Sequence, residues 1–214
     1  MNHKIILFFL ITFSSSVFAV DVSNFDIKGV KLNDKYSNIK FPVNCDSPKS
    51  NNIGNNRWKY QVVCGGGSGI QMGRELVFNF THDEIVWSIY REKVFSVKPN
   101  FQKIEKQLFV KYGNPTSTGV LKSSYKNPNN IISKSFCWGA CKKEHDNDGH
   151  FKGSTVYGSK GKSLVVTYHE KNDTYSIWFG LKDTVLEDAD SQWARVEYKI
   201  FEEKQKEQES NLDL

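Results

Sequence analysis

Beyond its first nineteen residues the chain has no apolar run of about eighteen residues, the length a membrane-spanning helix needs. It also lacks the short motifs of several common chemistries. The glycine run from Cys64 to Gly73 has no Gly-Lys-Ser/Thr ending, and Gly67, Gly69 and Gly73 miss the dinucleotide-binding spacing. There is no HExxH pair of zinc-ligating histidines, and no G-x-S-x-G elbow to present a serine nucleophile. Blocks of one charge sign are missing as well. The 29 Lys+Arg and 24 Asp+Glu are interspersed, whereas a nucleic-acid binder concentrates its cations on one stripe. These absences argue against nucleotide cofactors, zinc-peptidase chemistry and nucleic-acid partners. The glycine run then reads as a connection that needs positive φ.

What is present begins with the first nineteen residues. Lys4 is followed by the apolar Ile5–Phe13, then by Ser14-Ser15-Ser16 and Val17-Phe18-Ala19, with small residues at the positions a signal peptidase reads. Such a run is too short to span a bilayer and reads as a secretory signal peptide, with cleavage expected after Ala19. The expectation is a soluble, exported protein, periplasmic or secreted, with no transmembrane span. Losing Lys4 takes one unit from the formal charge of +5. The 15 Phe, 9 Tyr and 5 Trp supply enough bulk for a core, since each buried ring removes roughly 150–250 Å² from water.

Cysteine is scarce, with only Cys45, Cys64, Cys137 and Cys141. An even count in an exported chain favours disulfides, and the local pairing Cys45–Cys64 with Cys137–Cys141 is expected. The second pair makes a structural demand. Residues four apart in a strand lie roughly 13 Å from one another, yet a disulfide needs Cα atoms within about 7 Å. Trp138-Gly139-Ala140 must therefore turn, and Gly139 permits it.

Along the chain, Phe25–Leu32 alternates as a strand or extended arm, and 33–39 reads as a helical turn. Residues 46–56 form an Asn/Ser-rich loop. Strands are predicted at Trp58–Cys64, Glu75–Phe80 and Glu84–Arg91. A helix is predicted over Phe101–Tyr112, opened by Pro99-Asn100 and closed by Gly113 and Pro115. Residues 116–130 read as a polar loop. Further strands follow at Ile131–Cys137, Ser154–Gly158, Ser163–Glu170 and Thr174–Leu181. From Asp188 the pattern suits strand or helix, and the EEKQKEQE run favours helix, with a frayed polar tail over 205–214. The fold class is α+β, mainly antiparallel, with one central and one C-terminal helix in a single exported domain over 20–204. The order also admits two similar halves, 25–97 and 98–200.

Two patches carry a resemblance. Ile27-Lys28-Gly29-Val30-Lys31-Leu32, and the helix 101–112 leading into Tyr112-Gly113-Asn114-Pro115, resemble repeat units of SmpA/BamE-like and β-lactamase-inhibitor-like exported bacterial proteins. Asn33 stands where those families usually have Gly, and the lipid-bearing Cys of the assembly lipoproteins is absent. The resemblance implies binding of another protein through an antiparallel sheet.

The densest ligand-like run is Glu144–His150. His145, Asp146, Asp148 and His150 are its metal candidates, although Thr155 stands where a calcium loop needs its bidentate acid. The stretches His82-Asp83-Glu84 and His169-Glu170 set a base beside an acid. Trp87, Tyr90, Trp138, Tyr168, Tyr175 and Trp178 are candidates for core or for recognition. The reading that follows is a non-enzymatic, disulfide-stapled binding module without cofactor. An inhibitor, immunity factor or envelope adaptor fits, with another exported or envelope protein as its partner. The alternative is a secreted metal-dependent hydrolase or toxin using the 144–150 loop.

Overall fold

A computed structural model describes residues 20–42, 44–46, 49–50, 60–65, 76–123, 132–146, 151–171 and 174–210. The first nineteen residues, where a signal peptide is expected, and most of the glycine run lie outside the described residues. So do most of the 46–56 loop and the positions of Asp148 and His150. No helix among the described residues is long and apolar enough to cross a membrane.

The architecture is α+β and antiparallel. A small hairpin, β1 (Asp26–Ile27) and β2 (Val30–Lys31), precedes an eight-stranded sheet. Its strands are β3 (Lys49–Ser50), β4 (Tyr60–Cys64), β5 (Leu76–Phe80), β6 (Val86–Phe95), β7 (Ser117–Ser123), β8 (Ile132–Asp146), β9 (Phe151–Lys171) and β10 (Thr174–Asp183). Strands β3 to β6 form a meander, and β10 joins β6 to β9, so residues 49–95 and 117–183 meet edge to edge. The central helix α1 spans Phe101–Tyr112, and α2 spans Thr184–Ser210.

Local chemistry sets the helix ends. The Asn100 side chain accepts from the Lys103 N–H, and Gly113 closes α1 at φ 76° with its N–H on the Phe109 carbonyl. Asp183 caps α2 by accepting from the N–H groups of Val185 and Leu186 at 3.0 and 3.3 Å.

Several elements differ from the sequence expectation. Phe25–Leu32 is a hairpin and not one strand, because Lys28 and Gly29 both take positive φ and Asp26 accepts the Gly29 N–H. The stretch expected as a loop over 116–130 contains strand β7. Glu144, His145 and Asp146 belong to strand β8, where a loop was expected to start. The strands expected at 154–158 and 163–170 are one strand, β9, of 21 residues. The ambiguous C-terminal segment is helical and continues to Ser210, past Lys204.

The two halves of the long β8–β9 ribbon are separated by a corner. Ile132–Gly139 pairs with Ser163–Glu170, and Cys141–Asp146 with Gly153–Gly158, with a register shift between Gly139 and Cys141. Gly139 sits at φ 82°, and a disulfide closes Cys137 onto Cys141 with Cα atoms 6.0 Å apart. Past the corner the ribbon folds back, so that Phe151–Gly153 pairs with the free edge of β7 while β7 pairs with β8. The three strands thus close on one another. The space inside is narrow and takes small side chains. Ser133, Ser135, Cys137, Ser154 and Val156 are all buried, and Ser135 Oγ accepts the Val156 N–H at 3.2 Å. A Cβ on Gly153 (φ 140°) would lie 2.0 Å from the Val120 carbonyl oxygen. The second disulfide, Cys45–Cys64, ties the segment before β3 to the end of β4.

One face of the sheet carries the core. Phe78, Ile89, Phe136, Trp138, Leu164, Val166, Ile177 and Leu181 are buried there beneath α1 and the N-terminal segment. Each such side chain stabilises by about 1.5–3 kcal/mol relative to exposure. Trp138 donates its indole N–H to the Gly113 carbonyl at 2.9 Å, and Phe109 meets Phe136 edge-on. Glu105 on α1 accepts from Lys134 at 2.7 Å and from the Tyr168 hydroxyl at 2.7 Å, fixing the other end of the helix.

The corner yields a prediction. A Cβ on Gly139 would stand 2.5 Å from the Lys162 carbonyl oxygen and 3.0 Å from Val22 Cγ1, in a backbone conformation that side chains disfavour. Gly139→Ala is expected to cost about 2–4 kcal/mol in urea unfolding. A loss below about 0.5 kcal/mol would show that the corner is not strained against its neighbours.

Candidate functional site

The face of the sheet turned away from α1 is defined by the register across β6, β10 and β9. Tyr90 stands opposite Gly180 and Val165, Glu92 opposite Trp178 and Thr167, and Val94 opposite Ser176 and His169. Strand alternation sends these residues to the side opposite Ile89, Ile177 and Leu181, which are core. Trp178 lies on the central strand of the three and is 40% exposed. Its ring meets Tyr90 perpendicularly at 5.5 Å and His169 at 5.7 Å, and its indole N–H donates to Ser176 Oγ at 3.0 Å. Val94 beside it is 55% exposed. Gly180 leaves a dip next to Tyr90, because a Cβ there would meet only the Val165 carbonyl oxygen, at 4.0 Å. Toward β4 the same face turns polar. Gln61 donates to Asn79 at 2.9 Å, and Asn79 to Ser88 at 3.2 Å.

The electrostatics of the patch suit contact more than proton transfer. Burial pushes the Tyr90 hydroxyl well above its usual range, with Glu92 adding to the effect. Burial also lowers the His169 imidazole, favouring its neutral form. An aromatic centre, a rim of hydroxyl and amide groups and one carboxylate make a surface that excludes water from an apolar anchor and hydrogen-bonds around it. The perpendicular Tyr90 and Trp178 rings do not form the coplanar platform expected of a carbohydrate-binding sheet.

The aromatic candidates divide cleanly. Trp138, Tyr168 and Tyr175 are buried, and Trp138 and Tyr168 belong to the main core. Trp87 is half-buried, with the Lys182 ammonium 5.5 Å from its ring centre. Only Tyr90 and Trp178 form a mutual contact on the open face.

The ligand-like run is not gathered into a centre by the described residues. Glu144 pairs with Lys142 at 2.6 Å, and His145, next along the strand, points to the opposite side. The Asp146 side chain, Asp148 and His150 lie outside the described residues. No group of three metal-ligating side chains occurs among the described residues. His169 and Glu170 also diverge, with Glu170 paired to Lys98 at 2.8 Å while His169 lies against Trp178. His82 does lie beside Asp83, with Nε2 3.3 Å from its carboxylate, and it also engages Asp190 of α2 at 2.9 Å, a contact across 108 positions that no local pattern signals.

Compared with protein-family models, curated proteins and solved structures, the chain gives no match.

The lowered His169 imidazole gives a pH dependence of known sign. Below about pH 6.5, an ordinary histidine value, the unfolded chain binds this proton more readily than the native one. The contribution of His169 is therefore present at neutral pH and is lost as the pH falls. Unfolding free energy measured from pH 7 to 5 should decline, and His169→Gln should flatten that slope. An unchanged slope in His169→Gln would place the pH dependence elsewhere.

Proposed function

We propose that this is a non-enzymatic, exported binding module whose open sheet face receives another exported or envelope protein. The observation that carries the reading is Trp178, left 40% exposed at the centre of a wide sheet and braced edge-on by Tyr90 and His169. A tryptophan held rigid on a strand costs little side-chain entropy to dock. Trp and Tyr are also among the residues that most often dominate interface energy. Two disulfides fit an oxidising compartment, which supports export and agrees with the signal-like first nineteen residues. The families that the two sequence patches resemble also use an antiparallel sheet for binding. A metal-dependent hydrolase has less support, since Glu144 is spent on Lys142 and His145 faces the other way.

The test is comparative capture. Residues 20–214, made in an oxidising compartment, are cross-linked to native envelope and culture fractions, and the captured protein is identified and its affinity measured. Trp178→Ala should weaken binding at least tenfold while leaving unfolding within about 1 kcal/mol of wild type, as hot-spot truncation at a half-exposed site does. Gly180→Ala, whose Cβ would meet nothing in the fold nearer than the Val165 carbonyl oxygen at 4.0 Å, should weaken the same partner. Undiminished binding by both variants would refute the sheet face as the site.

A further inference from the structure

The outward side of α2 carries an apolar stripe that no described residue covers. Val185, Val196 and Ile200 are exposed, Val196 to 56%, and Ala189 between them is exposed as well. At 3.6 residues per turn these four fall within about 60° of one another, over a length of about 22 Å. Asp190, buried against the β5–β6 turn, lies roughly 110° away round the helix. The helix is held by that other side. Asp183 caps its first turn, Lys182 reaches Glu187 at 2.6 Å, and Asp190 accepts the His82 N–H at 2.8 Å. The stripe is therefore offered to solvent on a helix already fixed in place.

Its spacing is self-complementary. Val185 and Ala189 are four positions apart, as are Val196 and Ile200, about a midpoint between Gln192 and Trp193. Laid antiparallel on a second copy about that midpoint, Val185 meets Ile200 of the second copy, and Ala189 meets its Val196. The two-fold axis makes each contact twice. The charges on one flank follow the same symmetry. Asp188, Arg195 and Lys199 are exposed and lie on one side of the stripe, within about 40° of one another. None of the three forms an ion pair among the described residues. Asp188 is seven positions from Arg195, beyond the three or four at which side chains on one helix meet. Arg195 and Lys199 stand four apart, where like charges repel. In the antiparallel pair, Asp188 falls midway between Arg195 and Lys199 of the second copy, about 3 Å along the axis from each.

We propose that α2 is a homodimerisation helix, pairing antiparallel with a second copy of this chain through Val185, Ala189, Val196 and Ile200. Apolar side chains and flanking charges match under one two-fold operation, so a second copy fits the stripe. The contact is isologous and closes at two chains. An interface about 22 Å long falls below the roughly 1,200 Å² of strong specific complexes, so the dimer is weak and depends on concentration. The stripe shares no residue with the open sheet face, and the inference does not depend on what that face receives.

The test is sedimentation equilibrium of residues 20–214 at physiological salt, from about 10 μM to about 1 mM, the range expected of so small an interface. The mass should rise from one chain to two. Ala189→Glu with Val196→Glu sets like charges opposite one another at exposed helix positions, and should weaken the dimer at least tenfold with the thermal midpoint kept. Asp188→Lys should weaken it roughly three- to tenfold, the scale of a few exposed ion pairs. Adding Arg195→Glu and Lys199→Glu to Asp188→Lys should restore it, and this charge exchange serves if the first variant does not fold. Phe201→Ser, on the opposite side of α2, should change nothing. A chain that stays monomeric throughout, a dimer undiminished by Ala189→Glu with Val196→Glu, a dimer dissolved by Trp178→Ala, or a charge exchange without rescue overturns the proposal.

Discussion

The structure turns on the backbone reversal at Gly139. Its flanking cysteines are 6.0 Å apart at Cα, where an extended strand would hold them at roughly twice that distance. The tryptophan immediately before it is fully buried, with its indole on the last carbonyl of the α1 cap. Gly139 itself donates its N–H to Thr116 Oγ1 and packs against Val22 near the start of the described chain. One short segment therefore sets the corner of the β8–β9 ribbon, the seat of α1 and the approach of the N-terminal segment. The disulfide keeps this corner in the unfolded chain as well, stabilising by roughly 2 kcal/mol for so small a loop in the chain-entropy model.

The corner also accounts for the asymmetry of the two sheet faces. A sheet must bury at least one face to form a core, and α1 with the N-terminal segment covers the face of Trp138, Leu164 and Leu181. On the other face, the ribbon beyond the corner folds over β8 and β7 and buries Ser133, Ser135 and Cys137. Strands β6, β10 and the second half of β9 lie outside that cover. Trp178 and Tyr90 remain accessible because the chain's own covering elements are used elsewhere, and this is the surface on which a partner is proposed to act.

Much of this was legible where one periodicity dominates. Asn100, the apolar face of Phe101, Ile104 and Leu108, and Gly113 specify α1 to the residue. The alternation over Thr174–Leu181 sets Tyr175 and Ile177 on one face and Trp178 on the other, and the structure makes the first of these faces the core. The demand that Trp138-Gly139-Ala140 turn also follows from spacing alone. Strand β7 was not legible, because its inward positions face a space so narrow that a Cβ on Gly119 would stand 2.6 Å from the Ser154 carbonyl oxygen. A strand without apolar alternation reads as a loop. The unity of β9 was hidden for a related reason, since Gly158 and Gly161 look like breaks where they accommodate a corner. The open aromatic face was half legible: the sequence nominates Tyr90 and Trp178, but which rings remain uncovered depends on where α1 and the ribbon settle. The His82–Asp190 contact joins residues too distant for any local pattern.

Amide exchange in a Cys137→Ala/Cys141→Ala variant, mapped strand by strand against wild type, tests the role of the corner most directly. If the reversal at Gly139 closes β7, β8 and β9 on one another, protection falls in 117–123 and 151–158 while 86–95 and 174–183 keep theirs. Uniform loss across the whole sheet, or full protection of 117–123 and 151–158, would contradict it.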